Sequence, residues 1–368
     1  MDRISLQKPV KPNEEVKIKI KQQIVWKNAL GLLLMHLIGL YGLHVSITFA
    51  KLLTWIYGFI VFIICGAGIT IGAHRCFAHR SFKATFGLRC LLVAFFTMTG
   101  ENSLYIWVRD HRQHHKYSDT DADPHNAKRG FFFSHCGWLM VRKHPEVIAK
   151  GKTLDLSDLE ADPIIMFQKK YYYLLYGAIN TFIVALPYLL WGESVRVSIL
   201  GVFILRSVVV YNITWLVNSA AHLYGTRPYN GEIQPVESST VSILTCGEGW
   251  HNFHHTFPSD YRASEYGHKH DLSSRVIQLM EKRGWAYNLK ETPQHLVNKW
   301  VKKFGDGSHM LSCEWKEDSS DDAETQLSTK KVLNCREEII RSDMRAYNNV
   351  VKATNENIAA RRLNTSNT

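Results

Sequence analysis

The sequence predicts an all-α integral membrane protein, in which four transmembrane helices form two hairpins beneath a cytosolic helical cap that holds a histidine-rich dimetal site. Three observations support this fold class. Apolar blocks of membrane-spanning length occur as two close pairs, which argues against an ordinary soluble globular domain. The basic residues gather between the blocks, and Lys plus Arg outnumber Asp plus Glu by 44 to 33. Eight of the 18 histidines stand in three clusters outside the blocks, and a ninth follows the last block.

The first hairpin is predicted from two adjacent apolar blocks. Residues 29–50 contain no charged side chain, and as a helix they would be about 33 Å long at ~1.5 Å per residue, enough to cross a bilayer. Residues 52–73 are equally free of charge, and only Lys51 separates the two blocks. A connection this short requires the two helices to run antiparallel.

The second hairpin follows about 100 residues later. It comprises residues 171–191 and residues 197–220, joined by a few residues that carry one Glu and one Arg. A further apolar block at 86–104 is interrupted by Arg89 and Glu101. We therefore expect an interfacial or re-entrant helix there, because a fifth full span would put the later histidines on the opposite face of the membrane.

The positive-inside rule orients these spans. Basic residues are in excess in the arm at residues 1–28, in the loop from 74 to 170 and after residue 222. We expect these segments, and hence both termini, to be cytosolic. The arm lacks the apolar region of a signal peptide. Residues 29–304 form the predicted membrane domain, and the polar residues 305–368 are predicted to be a largely disordered cytosolic tail with at most one helix, near 330–350.

The clustered histidines are the main functional signal. They follow two patterns, HxxxxH and HxxHH, with a further histidine at the end of the last span: His74 and His79; His111, His114 and His115; His251, His254 and His255; and His222. In a helix, residues at i, i+3 and i+4 share one face, so each HxxHH motif points three imidazoles at one cavity. The spans would bring all the clusters to one membrane surface.

Nine imidazoles are enough ligands for two metal ions. Imidazole binds iron, zinc or copper, and one structural zinc would need only four ligands. The seven cysteines are scattered and lack a CxxC pair, which argues against a zinc ribbon or a disulfide scaffold. The ExxH matches at Glu248 and Glu265 resemble soluble di-iron bundles, but Glu248 lies between Gly247 and Gly249, where a helix is disfavoured.

Five segments carry a resemblance to a known family: GAHRCFAH (72–79), WVRDHRQHHKYSDTDADPHN (107–126), GFFFSHCGWLMVRKHPE (130–146), NSAAHLYGTRPY (218–229) and GEGWHNFHHTFPSDY (247–261). With them the chain resembles, from about residue 26 to about 307, the membrane-bound acyl-CoA desaturases of the stearoyl-CoA desaturase family. The last motifs, together with RGWAYNLK (283–290), are similar to insect members that make pheromone or cuticular-lipid precursors.

The resemblance implies a centre of two Fe²⁺ ions. One ion would be held by His74, His79, His115 and His255, with Asn218 bonding a bound water, and the other by His111, His114, His222, His251 and His254. The matching positions for acyl-CoA binding are Asn28, Asn102, Arg109, Asp110, Arg142, Lys143 and Trp215. For the acyl tunnel they are Phe62, Gly66, Trp107 and Thr214. Steps of four residues back from His74 reach Gly66 and then Phe62. Phe62 would lie about 18 Å from His74 along a helix at ~1.5 Å per residue.

The implied reaction is the insertion of a cis double bond into a long-chain acyl-CoA with O₂ and two electrons. The chain has no dinucleotide or haem motif, so the electrons must come from outside. The family's donor is cytochrome b5 with its NADH-dependent reductase, which implies residence in the endoplasmic reticulum membrane, contact with membrane lipid and no nucleic-acid partner. Two alternatives are a fatty acyl hydroxylase with the same metal centre and a histidine-rich metal transporter. A transporter should carry metal ligands inside its spans.

Overall fold

The computed structural model describes residues 22–265 and 271–310. Within these residues it is almost entirely helical, with one two-stranded sheet. The predicted disordered tail, its helix near 330–350 and most of the N-terminal arm lie outside the described residues.

Four helices in the described part of the chain are long and apolar enough to cross a membrane, as the sequence predicts. They are α1 (Trp26–Phe49), a second helix over Leu52–Ala78, α9 (Tyr172–Trp191) and a fourth helix over Val195–Leu223. The second and fourth each contain a π-helical stretch. The second comprises α2 (Leu52–Ala67) and the π-helix Gly68–Ala78; the fourth comprises α10 (Val195–Val197), the π-helix Ser198–Leu205 and α11 (Arg206–Leu223).

The turns of the two hairpins are fastened to each other. The backbone N–H of Lys51 donates to Glu193 Oε2 at 3.0 Å, and Lys51 Nζ donates to the carbonyl of Trp191 at 2.8 Å. The hydroxyl of Thr54 donates to the same Glu193 carboxylate. These bonds set the two hairpins side by side, so that their other ends meet on the side where the histidines lie.

The first and last spans pack closely because small residues face each other. A Cβ on Gly42 would lie 2.5 Å from the carbonyl oxygen of Leu200, and one on Gly201 would lie 2.5 Å from Ser46 Oγ. Any larger side chain would push the helices apart.

The block at 86–104 is not a straight helix. Helix α3 (Phe86–Thr99) and α4 (Leu104–Tyr117) are bent by 86° across a short break. The bend requires left-handed backbone at Gly100 (φ +84°) and Asn102 (φ +71°). A Cβ on Gly100 would also lie 2.4 Å from the hydroxyl of Tyr211. The bend turns α4 toward the histidines of the second span.

The remaining elements form the cap over this end of the bundle. Its helices are α5 (Phe131–His135), α6 (Pro145–Gly151), α7 (Ser157–Glu160), α8 (Pro163–Lys170), α12 (Ser239–Leu244), α13 (His251–Thr256), α14 (Leu272–Lys282) and α15 (Gln294–Phe304). Two 3₁₀ turns lie at Ala127–Arg129 and Gly137–Met140, and strand β1 (Lys83–Ala84) pairs antiparallel with β2 (Ala286–Tyr287).

Candidate metal centre

The π-helix at the end of the second span positions the first two histidines. His79 N–H donates to the carbonyl of His74, five residues earlier, at 3.0 Å. This i→i+5 geometry brings residues five apart onto one face of the helix. The rings of His74 and His79 are therefore neighbours, with centroids 4.8 Å apart. The predicted span ended at residue 73, whereas the helix runs to Ala78, so His74 lies within the helix.

Helix α4 carries His111, His114 and His115, as the HxxHH spacing predicts. Arg112 fastens this helix to the π-helix, because its guanidinium donates to the carbonyl of Phe77 at 2.9 Å. The same guanidinium makes two hydrogen bonds of 2.7 Å to the carboxylate of Asp158. A bidentate pair of this kind fixes direction as well as distance.

The second HxxHH motif lies on α13, a helix of six residues that has few hydrogen bonds of its own. Hydrogen bonds between side chains and backbone fix this helix to the surrounding chain. Asn252 Oδ1 accepts from the backbone N–H of Tyr229 at 2.9 Å, and Glu237 Oε1 accepts from the N–H of Phe253 at 2.8 Å. Burial raises the pKa of Glu237 to about 8, although the N–H donors oppose the rise. His222 completes the set from the last turn of α11.

All nine predicted histidines meet in two adjacent groups. The first group contains His74, His79, His111, His115 and His254, and the second contains His114, His222, His251 and His255. Within each group the candidate ligand atoms all lie within 4.8 Å of one another. This division differs from the one that the resemblance implies. His111 and His254 belong to the first group and His255 to the second.

The imidazoles turn their Nε2 atoms toward each other. His74 Nε2 lies 2.9 Å from His254 Nε2, and His255 Nε2 lies 3.1 Å from His251 Nε2. His222 is fully buried, and its Nε2 has no hydrogen-bond partner among the described residues. A buried nitrogen without a partner is costly unless a ligand satisfies it. Burial and the neighbouring imidazoles lower the pKa of His251, His254 and His255, which keeps these rings neutral.

This donor set fits a metal. Neutral imidazoles crowded at one point, with their Nε2 atoms facing each other, suit a transition-metal ion such as iron, zinc or copper. The geometry supports two ions, one in each group. Glu248, the residue of the discounted ExxH match, belongs to neither group.

Three buried carboxylates contact the far side of these rings. His114 Nδ1 donates to Asp123 at 2.9 Å, His222 Nδ1 donates to Asp119 at 2.9 Å, and His74 Nδ1 lies 2.8 Å from Glu248. A carboxylate on Nδ1 fixes the tautomer that leaves Nε2 free for a metal.

Sequence reasoning missed Asp119 and Asp123, and it considered Glu248 only as part of an ExxH match. Asp119 and Asp123 stand in the segment 107–126, four and eight residues after His115, but no spacing rule connects them to particular rings. Burial alone would raise the pKa of Asp123. The neighbouring His114 and His125 lower it by more, so the pKa is well below its usual range. The carboxylate is therefore ionised and able to accept.

Arg75 bonds the carboxylate oxygen of Glu248 that does not face His74. Its guanidinium donates to Glu248 Oε1 at 2.8 Å and to both oxygens of Asp271 at 2.9 and 3.0 Å. All three side chains are almost completely buried. Burial alone would raise the pKa of Glu248, but Arg75 and His74 lower it to about 2.

A cavity of about 220 Å³ leads to the first group. Three of the residues that the resemblance assigns to acyl-CoA binding line it, namely Asn102, Asp110 and Trp215, and so do Asn218 and the two assigned tunnel residues Trp107 and Thr214. His111 also lines it, so the cavity reaches a candidate ligand. Asn218 belongs to neither histidine group.

The other assigned substrate residues lie around this cavity or near it. Asp110 binds Arg109 at 2.7 Å and Lys143 at 2.6 Å, which holds two cations beside the cavity. Asn28 Nδ2 donates to the carbonyl of Leu139, a lining residue, at 3.0 Å. Arg142 is exposed and does not line the cavity.

Two apolar cavities continue between the second and fourth spans. The nearer, of about 60 Å³, is lined by Phe62, Gly66 and Thr70 and shares Thr214 with the first cavity. The farther, of about 480 Å³, shares Phe62 with the nearer one. Phe62 is therefore one of several side chains at the boundary of the two cavities, and Gly66 has open space where a Cβ would be.

Comparisons with known proteins agree with this architecture. A family model described as fatty acid desaturase matches residues 50–290. An acyl-CoA Delta-9 desaturase of Acheta domesticus is 47% identical over 291 residues, which cover 78% of this chain and 81% of the relative. A stearoyl-CoA desaturase of Homo sapiens is 47% identical over 293 residues, covering 78% and 80%.

A relative from a moth shows the same level of similarity. The acyl-CoA Delta(11) desaturase of Spodoptera littoralis is 44% identical over 298 residues, covering 80% of this chain and 88% of the relative. The resemblance carried by the five motifs is thereby confirmed: the chain belongs to the fatty acid desaturase family, among relatives that are acyl-CoA desaturases.

Proposed function

We propose that this protein inserts a cis double bond into a long-chain acyl-CoA, at a centre of two Fe²⁺ ions, with O₂ and two electrons from an external donor. The single observation that carries the proposal is that the cavity lined by Trp107 and Trp215 ends on His111, a member of the first histidine group. A substrate lying in that cavity would have its chain beside the metal centre.

The histidine groups would hold the two ions through Nε2. Iron, when bound, would supply the O₂-dependent oxidation that removes two hydrogens from an unactivated pair of methylenes. The reaction balances when O₂, two electrons, two protons and the two hydrogens of the chain give an alkene and two waters. Asn218 would bind a water at the first ion, as the resemblance implies; its position in the wall of the cavity supports this role.

The polar mouth of the cavity suits the CoA moiety. Coenzyme A is polyanionic, and Arg109 and Lys143 present their cations there in positions that Asp110 fixes. Asn28, Asn102, Arg142 and Trp215 would add contacts to the thioester and the nucleotide. Holding the head group fixes how far the acyl chain enters, and hence which carbon–carbon bond lies beside the metals.

The acyl chain would run through the apolar cavities below the metal centre. Trp107 and Thr214 line the passage near His111, and Gly66 leaves room for methylenes in the next cavity. Phe62 would form the floor. Apolar walls exclude water from the reacting bond and bind the chain by burial of its surface.

The electrons would come from cytochrome b5, reduced by its NADH-dependent reductase, with the protein in the endoplasmic reticulum membrane and both termini in the cytosol. Two observations support this arrangement: an even number of helices is long and apolar enough to span a membrane, and the basic residues are in excess in the segments that four spans would leave on the starting side.

Expression in a desaturase-deficient yeast tests the proposal. Mass spectrometry of the lipids should find new cis double bonds, and the purified protein should contain two irons per chain. A hydroxylated fatty acid as the main product, or one bound zinc without iron, would contradict it. The same experiment identifies the carbon that is desaturated.

A further inference from the structure

A second depression reaches the metal centre from the protein surface. This groove of about 730 Å³ shares no lining residue with the cavity that contains Trp107 and Trp215. His79, a member of the first histidine group, lies in its wall. The candidate metal centre is therefore approached by two separate openings, and the proposed acyl-CoA occupies only one of them.

Cations dominate the rim of this second opening, which we call the basic groove. Four of its lining residues are Arg80, Lys83, Arg89 and Lys290. Its two carboxylates are already engaged, because Asp162 pairs with Arg89 and Asp158 binds Arg112. In the part of the chain that the structure describes, neither Lys83 nor Lys290 has a carboxylate partner, and both are exposed. The free charge at the mouth is positive.

Exposed aromatic rings stand beside these cations. Tyr287 of β2 and Trp285, the residue just before this strand, are both exposed, whereas Ala286 between them is buried. Trp285 is 47% exposed, Tyr287 is 46% exposed, and Tyr287 lines the groove. Accessible large aromatics within a charged rim are typical of protein–protein contact surfaces.

The proposed reaction requires such a surface. Each turnover consumes two electrons, and the sequence carries no redox cofactor motif of its own. We propose that the basic groove is the docking surface of an acidic one-electron carrier protein, which delivers its electrons to the metal centre past His79. This inference rests on the proposed function. Two reduced carriers dock in turn, and each is oxidised by one electron for every double bond formed.

Charge reversal in the groove tests the docking surface. The double variant Lys83→Glu/Lys290→Glu should bind cytochrome b5 about tenfold more weakly at low ionic strength than the unchanged protein, and the difference should shrink as salt screens the charges. Both side chains are exposed, so the substitutions leave the buried core intact. Binding is measured by biolayer interferometry on the full-length protein in lipid nanodiscs, and the KM for cytochrome b5 is measured alongside.

A matched control changes the same net charge elsewhere. Lys299→Glu/Lys303→Glu alters two exposed lysines of α15, outside the groove, and should leave cytochrome b5 binding unchanged. Lys83→Arg/Lys290→Arg should retain tight binding. Equal binding by all variants, or equal weakening by both charge reversals, would refute the docking surface. A change in the KM for O₂ or acyl-CoA with unaltered cytochrome b5 binding would also refute it.

The same measurements separate this inference from the proposed function. If the unchanged protein makes no double bonds but binds cytochrome b5 through the groove, the desaturase proposal fails and the docking surface stands. If it makes double bonds and the groove variants bind cytochrome b5 normally, the docking surface fails and the desaturase proposal stands.

Discussion

The carboxylate of Asp123 accepts a hydrogen bond from His114 Nδ1 at 2.9 Å, while Nε2 of the same ring faces His255. It holds the imidazole in one orientation and one tautomer, with Nε2 directed at the second histidine group. Asp119 does the same for His222. Two of the four histidines of that group are thus oriented by an acid.

We expect Asp123→Asn to weaken metal binding at the second group by about 10-fold to 100-fold, the usual effect of losing such a partner. The protein should lose up to half of its metal on dialysis against a chelator, measured by elemental mass spectrometry. Asp121→Asn, at an exposed position in the same loop, is the control and should keep its metal. Full metal retention in Asp123→Asn would mean that His114 is positioned without the carboxylate.

The two histidine groups make a second prediction. Any one of the nine substitutions by Ala should abolish desaturation and leave the protein in the membrane, because a ligand is lost but no apolar span. The division into groups adds a finer result. His254→Ala should perturb the ion held with His74, and His255→Ala the ion held with His114, as distinct changes in the Mössbauer spectrum.

The control for these variants is His295→Ala, an exposed histidine on α15. It should retain activity and metal content. If His254→Ala and His255→Ala give the same spectrum, the two groups do not correspond to two separate ions.

The candidate spans and the meeting of the nine clustered histidines could be predicted because their signals are local. Apolar runs of about 20 residues and HxxHH spacing are visible without knowledge of the fold. The division of the ligands could not be predicted, since it depends on where α13 lies relative to α4. His254 and His255 are adjacent in sequence and belong to different groups.

The spacing of the first two histidines only partly indicates the π-helix. The five-residue spacing of His74 and His79 fits neither the i+3 nor the i+4 spacing of an α-helix, and only the structure identifies the i→i+5 bonding that explains it. The acids that contact the histidine rings could not be predicted for a different reason. Glu248 and Arg75 are 173 residues apart and meet only when the cap closes over the second span.

Arg75 carries the third prediction, which concerns stability. Its removal would leave Glu248 and Asp271 buried without their counter-ion, a change that costs about 3–5 kcal/mol in buried ion pairs. Arg75→Met should therefore unfold at a markedly lower temperature in detergent, measured by the fluorescence of a thiol-reactive dye. Arg75→Lys should restore little, because an ammonium group cannot reproduce the bonds to both acids.

Arg283→Met, at an exposed position after α14, provides the control and should unfold like the unchanged protein. Equal unfolding temperatures for Arg75→Met and Arg283→Met would show that the buried network adds no net stability.

The fourth prediction concerns topology. In the proposed topology four spans return the chain to the cytosolic side, so a glycosylation reporter fused to the C-terminus should receive no glycan. A fusion truncated after Lys51 contains one span and should be glycosylated, which verifies that the reporter functions. A glycan on the full-length fusion would mean that the bent pair α3 and α4 crosses the membrane as a fifth span.

The last prediction concerns chain length. Phe62 lines both a cavity of about 60 Å³ and one of about 480 Å³, so its ring occupies part of the boundary between them. Phe62→Ala should join the two cavities and shift preference toward longer acyl-CoAs. Gly66→Phe should fill the open space at that position and favour shorter ones. Product distributions from a mixture of acyl-CoAs, measured by mass spectrometry, give the preference.

Ile60→Ala is the control, because Ile60 is a half-exposed residue on the same helix that lines neither cavity. It should leave the distribution unchanged. If Phe62→Ala and Gly66→Phe remain active with that same distribution, the acyl chain does not run along this face of the second span.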